Sequence, residues 1–195
     1  MKKLKIQFNS PAVLGFVGMC FLAFLLDMMT GGWTTRLLFS AYYPDNASLR
    51  NLFGGVAAIF RLFGHVFGHS GWEHFAGNMM ILLIIGPLLE EKYGTKNLLC
   101  VMVITAFVTG LVHIIFFPGT MLLGASGIVF AFILLSSFTS MQDGCVPATF
   151  LLVAAIYIGR EVWTGIFVTD NISNLTHIIG GLIGSVCGMT KGRRI

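Results

Sequence analysis

Long apolar runs separated by short polar breaks dominate the chain, and one stretch between the first two runs fits neither class. A helix needs about 20 mostly apolar residues to cross a hydrocarbon layer of about 30 Å. Residues 11–29 satisfy this, interrupted only by Asp27 near the end. Further runs cover 72–89, closed by Glu90-Glu91-Lys92-Tyr93-Gly94, and 97–117, closed by Pro118-Gly119. Then come 125–140, turned by Met141-Gln142-Asp143-Gly144, followed by 147–168 and 172–189. The pattern predicts an all-α polytopic membrane protein, a six-helix transmembrane bundle forming one domain over residues 1–195. Residues 31–71 are mixed and aromatic, punctuated by Tyr42-Tyr43-Pro44-Asp45-Asn46 and Gly54-Gly55. Too polar to span and too apolar to float free, they predict a long first loop lying partly in the interface, with short helices.

Composition agrees with this picture. The chain is 56% hydrophobic and 10% charged, with mean hydropathy +0.87, whereas a soluble domain carries about a quarter charged residues. No length is left for a separate soluble domain. The net charge of +4 gives no nucleic-acid signal, and its placement matters more than its sum. Lys2, Lys3, Lys5, Lys92, Lys96, Lys191, Arg193 and Arg194 fall on one side of the predicted bundle. Arg36, Arg50 and Arg61 fall on the other, and Arg160 lies inside the fifth run. The positive-inside rule then makes both termini cytoplasmic. The N-terminal lysines before an apolar run imitate a signal peptide. No clean small-x-small cleavage site follows before Asp27, so an uncleaved first span is expected. The absence of an Arg/Ser-rich transit segment points to a prokaryotic plasma membrane. Cys20, Cys100, Cys145 and Cys187 lack metal-ligand spacing and read as small core residues.

Chemistry enters through depth. In this orientation His74, Asn78, Ser126 and His177 stand roughly 24, 18, 22 and 21 Å above the cytoplasmic ends of their runs, at about 1.5 Å per residue. Three separate runs thus bring polar groups to one level, where they are costly unless paired or facing a cavity. Ser126 sits between Gly124 and Gly127, which clear side chains from around its hydroxyl. A helix opening at Ser126 directs free N–H groups and the positive dipole end toward that space. His177 is the candidate base, and the small-residue stripe Gly180, Gly181, Gly184 and Gly188 on its run allows a neighbouring helix to approach closely. His74 and Asn78 share one helix face and are candidate oxyanion donors with the Ser126 N–H. No acid shares the layer except Glu161, so a Ser126–His177 dyad is expected rather than a triad.

Other polar groups read as structural. His65 and His69 are loop or packing histidines with no carboxylate or thiol to complete a metal site. His113 is expected to pair with a neighbouring helix, and Asp27 to be interfacial. Arg160 and Glu161 point to different sides of a helix, and Glu90 is expected to fix the cytoplasmic turn by accepting backbone N–H groups.

Taken in order, His74-x-x-x-Asn78, Gly124-Ala125-Ser126-Gly127 and His177-x-x-Gly180-x-x-x-Gly184 on runs two, four and six resemble the rhomboid intramembrane serine proteases. His65, His69, Gly71-Trp72 and Glu90…Gly94 also match that family's second-span region, and the likeness covers residues 11–190. The resemblance implies hydrolysis of peptide bonds in or near transmembrane segments, with Ser126 as nucleophile, His177 as general base, and oxyanion contacts from His74 and Asn78. It implies an interfacial first loop, lateral substrate access beside the fifth span with the following loop as a cap, and no metal or cofactor. The partners it implies are transmembrane protein substrates and the lipid bilayer. Phe60-Arg61 stands where the bacterial family often has Trp-Arg, and Phe130 where a tyrosine is frequent. Without a seventh span or a cytoplasmic domain, the chain reads as a minimal form. Two other readings compete: an inactive rhomboid-like scaffold that binds helices without cutting, and a small transporter. The first is opposed by the presence of both Ser126 and His177, the second by the lack of an internal repeat.

Overall fold

A computed structural model describes residues 8–43, 56–139, 145–167 and 171–191. Helices account for most of them. In chain order these are α1 (Pro11–Met29), α2 (Trp33–Leu37), α3 (Val56–Gly64), α4 (Trp72–Tyr93), α5 (Thr95–Phe116), α6 (Ser126–Ser137), α7 (Ala148–Phe167) and α8 (Asn171–Lys191). A 3-10 turn, His65–Phe67, follows α3. By length and composition α1, α4 and α5 can each cross a membrane. Exposed Leu22, Met29, Ile84, Leu88 and Val103 on these helices fit a hydrocarbon surround rather than water.

Local chemistry sets the boundaries. Pro11 occupies the first turn of α1, where its missing N–H costs nothing. Gly94, at φ 80°, ends α4 and begins α5, a left-handed corner that suits glycine. At the other end of α1, Asp27 Oδ1 accepts from the Thr35 N–H at 2.8 Å and the Thr34 hydroxyl at 3.2 Å, which turns the chain into α2.

Helix α1 packs on α4 through Phe24 stacked on Phe75 at 5.0 Å, with Val13 side-chain atoms against Gly86. Cys20, Leu82, Leu89, Leu98, Ile128 and Phe132 are fully buried at the centre. Glu90 is buried too, at 4% exposure. Its carboxylate accepts from the Ala12 N–H at 3.0 Å, the Val13 N–H at 3.1 Å and the Thr95 hydroxyl at 2.8 Å. Backbone N–H groups are its partners, as the sequence suggested, but they belong to the first turn of α1 rather than to the turn after α4.

Several expectations need correction. The fold is not purely helical: β1 (Ala41–Tyr42) pairs antiparallel with β2 (Met121–Leu122), Ala41 opposite Leu122. Helix α6 stops at Ser137, not near Ser140, so the height of Ser126 counted from Met141 includes non-helical chain. Cys20 is buried, but Cys100 and Cys145 are exposed and are not core residues. His113 bonds back to Thr120, in the loop after its own helix, rather than to a neighbouring helix. Residues 1–7, 44–55 and 192–195, the turn Met141–Gly144, and the side chains of Arg160 and Glu161 lie outside the described residues.

Candidate active site

Ser126 is the first residue of α6, preceded by Ala125 at the N-cap. The first N–H groups of a helix have no intrahelical partner, so those near Ser126 are available to a ligand. Gly124, two residues earlier, has φ +122°, a conformation that few side-chain-bearing residues adopt. Space forbids a side chain as well. A Cβ there would lie 2.7 Å from Cε1 and Nε2 of His74 and 3.8 Å from Ser126 Oγ. The His74 ring and the Ser126 hydroxyl therefore border one small space, kept open by the bare Gly124.

The first loop holds this turn in place. The Gly124 N–H donates to the His65 carbonyl at 2.9 Å, and the Gly119 N–H to the Tyr43 carbonyl at 2.7 Å. With the β1–β2 pair, these bonds splice the segment before Ser126 onto residues 41–43 and His65. His65, buried at 1% exposure, is pinned in turn: its Nδ1–H donates to the Leu62 carbonyl at 3.0 Å, and Nε2 lies 3.3 Å from the Thr109 hydroxyl. Burial pushes its imidazole down to about 4, with the backbone carbonyls of Leu62 and Arg61 opposing. Arg61 ties the same loop together, donating to the carbonyls of Ser40 at 2.9 Å and Arg36 at 3.3 Å, with its guanidinium over the Tyr42 ring.

Helix α4 brings His74 to this space, and Asn78 stands one turn further along the same helix. Asn78 is 7% exposed, and its Nδ2 has no hydrogen-bond partner among the described residues. A buried donor left unpaired costs about 1–3 kcal/mol, so this amide is a ready donor for a bound oxygen. His74 Nδ1 lies 3.1 Å from the Ser70 hydroxyl. The His69 ring meets the His74 ring edge-on at 5.1 Å.

Helix α8 carries His177 to the same side. A Cβ on Gly180 would lie 2.1 Å from the Gly127 carbonyl oxygen, and one on Gly184 would lie 2.0 Å from that of Ala131. The two backbones touch, which only glycine permits. Thr176 also meets Gly127, at 3.5 Å from its would-be Cβ. Gly181 is buried, its carbonyl accepting from the Ser185 hydroxyl at 2.8 Å. The His177 ring lies on Phe130, one turn into α6 from Ser126, with centroids 4.4 Å apart.

His74 and Ser126 thus border one space at the N-terminal end of α6, with His177 packed on Phe130 one turn along that helix and Asn78 buried one turn beyond His74 on α4. A hydroxyl at a helix N-terminus, packed between imidazole-bearing helices, is an arrangement suited to acyl transfer. Among the described residues no group of three His, Cys, Asp or Glu side chains could hold a metal ion. Sequence reasoning passed over Ser70, whose signal was its spacing of four residues before His74. It also passed over the His65 carbonyl, which no side-chain pattern announces.

Comparison with known proteins places these residues in context. The family model described as the Rhomboid domain matches residues 56–194. The chain is 25% identical over 181 residues to rhomboid protease GlpG of Serratia proteamaculans, covering 89% of this chain and 60% of that protein. It is 28% identical over 132 residues to rhomboid protease GlpG of Salmonella newport, covering 65% of this chain and 46% of that protein. The chain therefore spans between about half and three-fifths of the length of these relatives.

Proposed function

Because the chain belongs to the rhomboid family, we propose that it is an intramembrane serine endopeptidase, cutting peptide bonds in or near transmembrane segments with a Ser126–His177 dyad. The chain crosses the membrane six times, with both termini in the cytoplasm of a prokaryotic cell. Ser126 Oγ attacks the scissile carbonyl while His177 takes its proton. The oxyanion receives N–H bonds from Asn78, His74 and the Ser126 backbone. His177 then returns the proton to the leaving amine, and water hydrolyses the acyl-enzyme by the same route.

The backbone contact between Gly127 and Gly180 carries this reading. It seats the His177 helix directly against the start of the Ser126 helix, and Phe130 under the imidazole fixes the ring near the first turn of α6. Phe130 offers an aromatic surface without a hydroxyl, so it orients His177 by packing alone. Extended backbone must reach Ser126, so substrates whose helices unwind easily near Gly, Pro or Ser are favoured.

Labelling by a fluorophosphonate probe tests the proposal. Wild-type protein is expected to react, with labelling abolished by Ser126→Ala and by His177→Ala. Labelling that survives Ser126→Ala would identify another nucleophile. Folded wild-type protein that neither labels nor cuts a model transmembrane substrate would favour the second reading, a helix-binding scaffold of the same fold.

A further inference from the structure

Three histidines line the path from the first loop to Ser126, and the partner of each Nδ1 atom distinguishes them. His65 Nδ1 faces the Leu62 carbonyl at 3.0 Å, and His69 Nδ1 faces the Phe67 carbonyl at 3.2 Å. A carbonyl only accepts, so in both neutral rings Nδ1 carries the proton and Nε2 is left as an acceptor. His74 differs. Its Nδ1 faces a hydroxyl, Ser70 Oγ at 3.1 Å, which can donate. Of these three rings, His74 alone can have a satisfied Nδ1 while Nε2 keeps the proton. That same Nε2 borders Gly124, 2.7 Å from the position a Cβ would take there, with Ser126 Oγ on the same side.

We propose that Ser70 is a positioning residue that donates its hydroxyl proton to His74 Nδ1 and so fixes His74 as the Nε2–H tautomer, a hydrogen-bond donor directed into the space beside Ser126. The inference deepens the reading of His74 as an oxyanion donor and rests on it for its catalytic meaning. In the other tautomer His74 would present a lone pair to the developing negative charge and repel it. Tautomer control through the second ring nitrogen is a general device for histidine. Here an exposed side chain just before α4 supplies it. Ser70 precedes the N-cap Gly71 and makes no helix cap, so its removal leaves α4 intact.

The tautomer can be read directly from the ¹⁵N chemical shifts and two-bond couplings of histidine-labelled protein, with His74 assigned from the signal lost in His74→Gln. Wild type and Ser70→Thr are expected to show His74 as Nε2–H. Ser70→Ala is expected to lose that preference at an unchanged melting temperature. A His74 signal of the Nδ1–H form in wild type, or one unchanged by Ser70→Ala, overturns the inference. Cleavage of a model substrate tests the reading beneath it. In Ser70→Ala, kcat is expected to fall roughly fivefold at constant KM, the worth of one hydrogen bond of about 1 kcal/mol, and to recover in Ser70→Thr. A tautomer that shifts while kcat stays constant would uphold the assignment of Ser70 and remove His74 from oxyanion stabilisation.

Discussion

Removing the Glu90 carboxylate should loosen the whole bundle from the end opposite Ser126. The carboxylate sits in an almost water-free site and accepts from three donors: the Ala12 and Val13 N–H groups and the Thr95 hydroxyl. The two N–H groups belong to the first turn of α1, where no intrahelical acceptor exists and where an anion gains up to about 2 kcal/mol from the helix dipole. Hydrogen bonds to a charged group contribute about 1.5–3 kcal/mol each, and an orphaned buried donor costs about 1–3 kcal/mol. The terms are not additive, because the three donors share one acceptor group. Glu90→Ala, which orphans all three donors, should therefore cost roughly 4–6 kcal/mol. Glu90→Gln keeps the shape and one acceptor oxygen but turns an NH2 toward a donor, for a cost of roughly 2–3 kcal/mol. At about 2–4 °C per kcal/mol for a chain of this size, Ala lowers the melting temperature by about 10–20 °C and Gln by about 5–10 °C. Thermal unfolding in detergent, followed by helix dichroism, measures both. Fluorophosphonate labelling below the transition should stay at the wild-type level, since Ser126 lies at the other end of the fold. A Glu90→Ala protein melting within about 2 °C of wild type would refute the view that this carboxylate clamps α1 to α4 and α5.

The glycine contacts make a sharper spatial prediction. Gly180→Ala and Gly184→Ala drive a methyl group into the Gly127 and Ala131 carbonyls, costing about 1–3 kcal/mol or more and lowering fluorophosphonate labelling. Gly15→Ala and Gly18→Ala on α1, with nothing within 4 Å, should be neutral or stabilising by up to about 1 kcal/mol. Equal effects at all four positions would count against the backbone contact. The buried histidine in the first loop predicts a pH response. Its pKa falls from 6.5 to about 4 on folding, so the unfolded chain binds the proton first. His65 therefore costs nothing above pH 6.5, and stability declines as the pH falls toward 4, by about 3 kcal/mol in all. Melting temperatures between pH 7 and pH 4, compared with His65→Gln, should show a shallower decline in the variant, and parallel slopes would contradict the assignment.

Much of this architecture was legible because the membrane simplifies the code. Where apolar run and helix coincide, as at Pro11–Met29, nothing but length and hydropathy was needed, and a proline or glycine marked the ends. The early end of α6 was hidden because its cause is polar rather than hydropathic. The hydroxyls of Ser136 and Ser137 both donate to the Ile133 carbonyl, and that of Thr139 to the Ser136 carbonyl. Side chains thus compete for the carbonyls that would continue the helix. The β1–β2 pair was invisible for another reason: two residues on each side carry no alternation, and the partners lie far apart in sequence. The reach of Glu90 to α1, across a sequence separation of 78 from Ala12, likewise has no local signature. At the candidate site, the spacing of His74 and Asn78 and the glycines flanking Ser126 could be read directly. What could not be read was how the turn before Ser126 is held, because the His65 and Tyr43 carbonyls do that work.

The short helix explains why so much irregular structure surrounds Ser126. Twelve residues of α6 reach about 18 Å at about 1.5 Å per residue, well short of a hydrocarbon layer of about 30 Å. In the orientation we propose, α6 begins below the outer membrane surface and leaves Ser126 at depth, with residues 117–125 descending to it as non-helical chain. Lipid cannot satisfy such backbone, which persists at depth only where protein covers it. The first loop supplies that cover: β1 takes up the β2 backbone, Tyr43 the Gly119 N–H, and His65 the Gly124 N–H. A water-accessible serine inside a bilayer thus calls for a short helix, and a short helix calls for an interfacial loop to saturate the chain leading into it. If Ser126 is the nucleophile we propose, the first loop supports it through the backbone it holds in place, and loosening Arg61 or His65 should reach Ser126 through the backbone of Gly124.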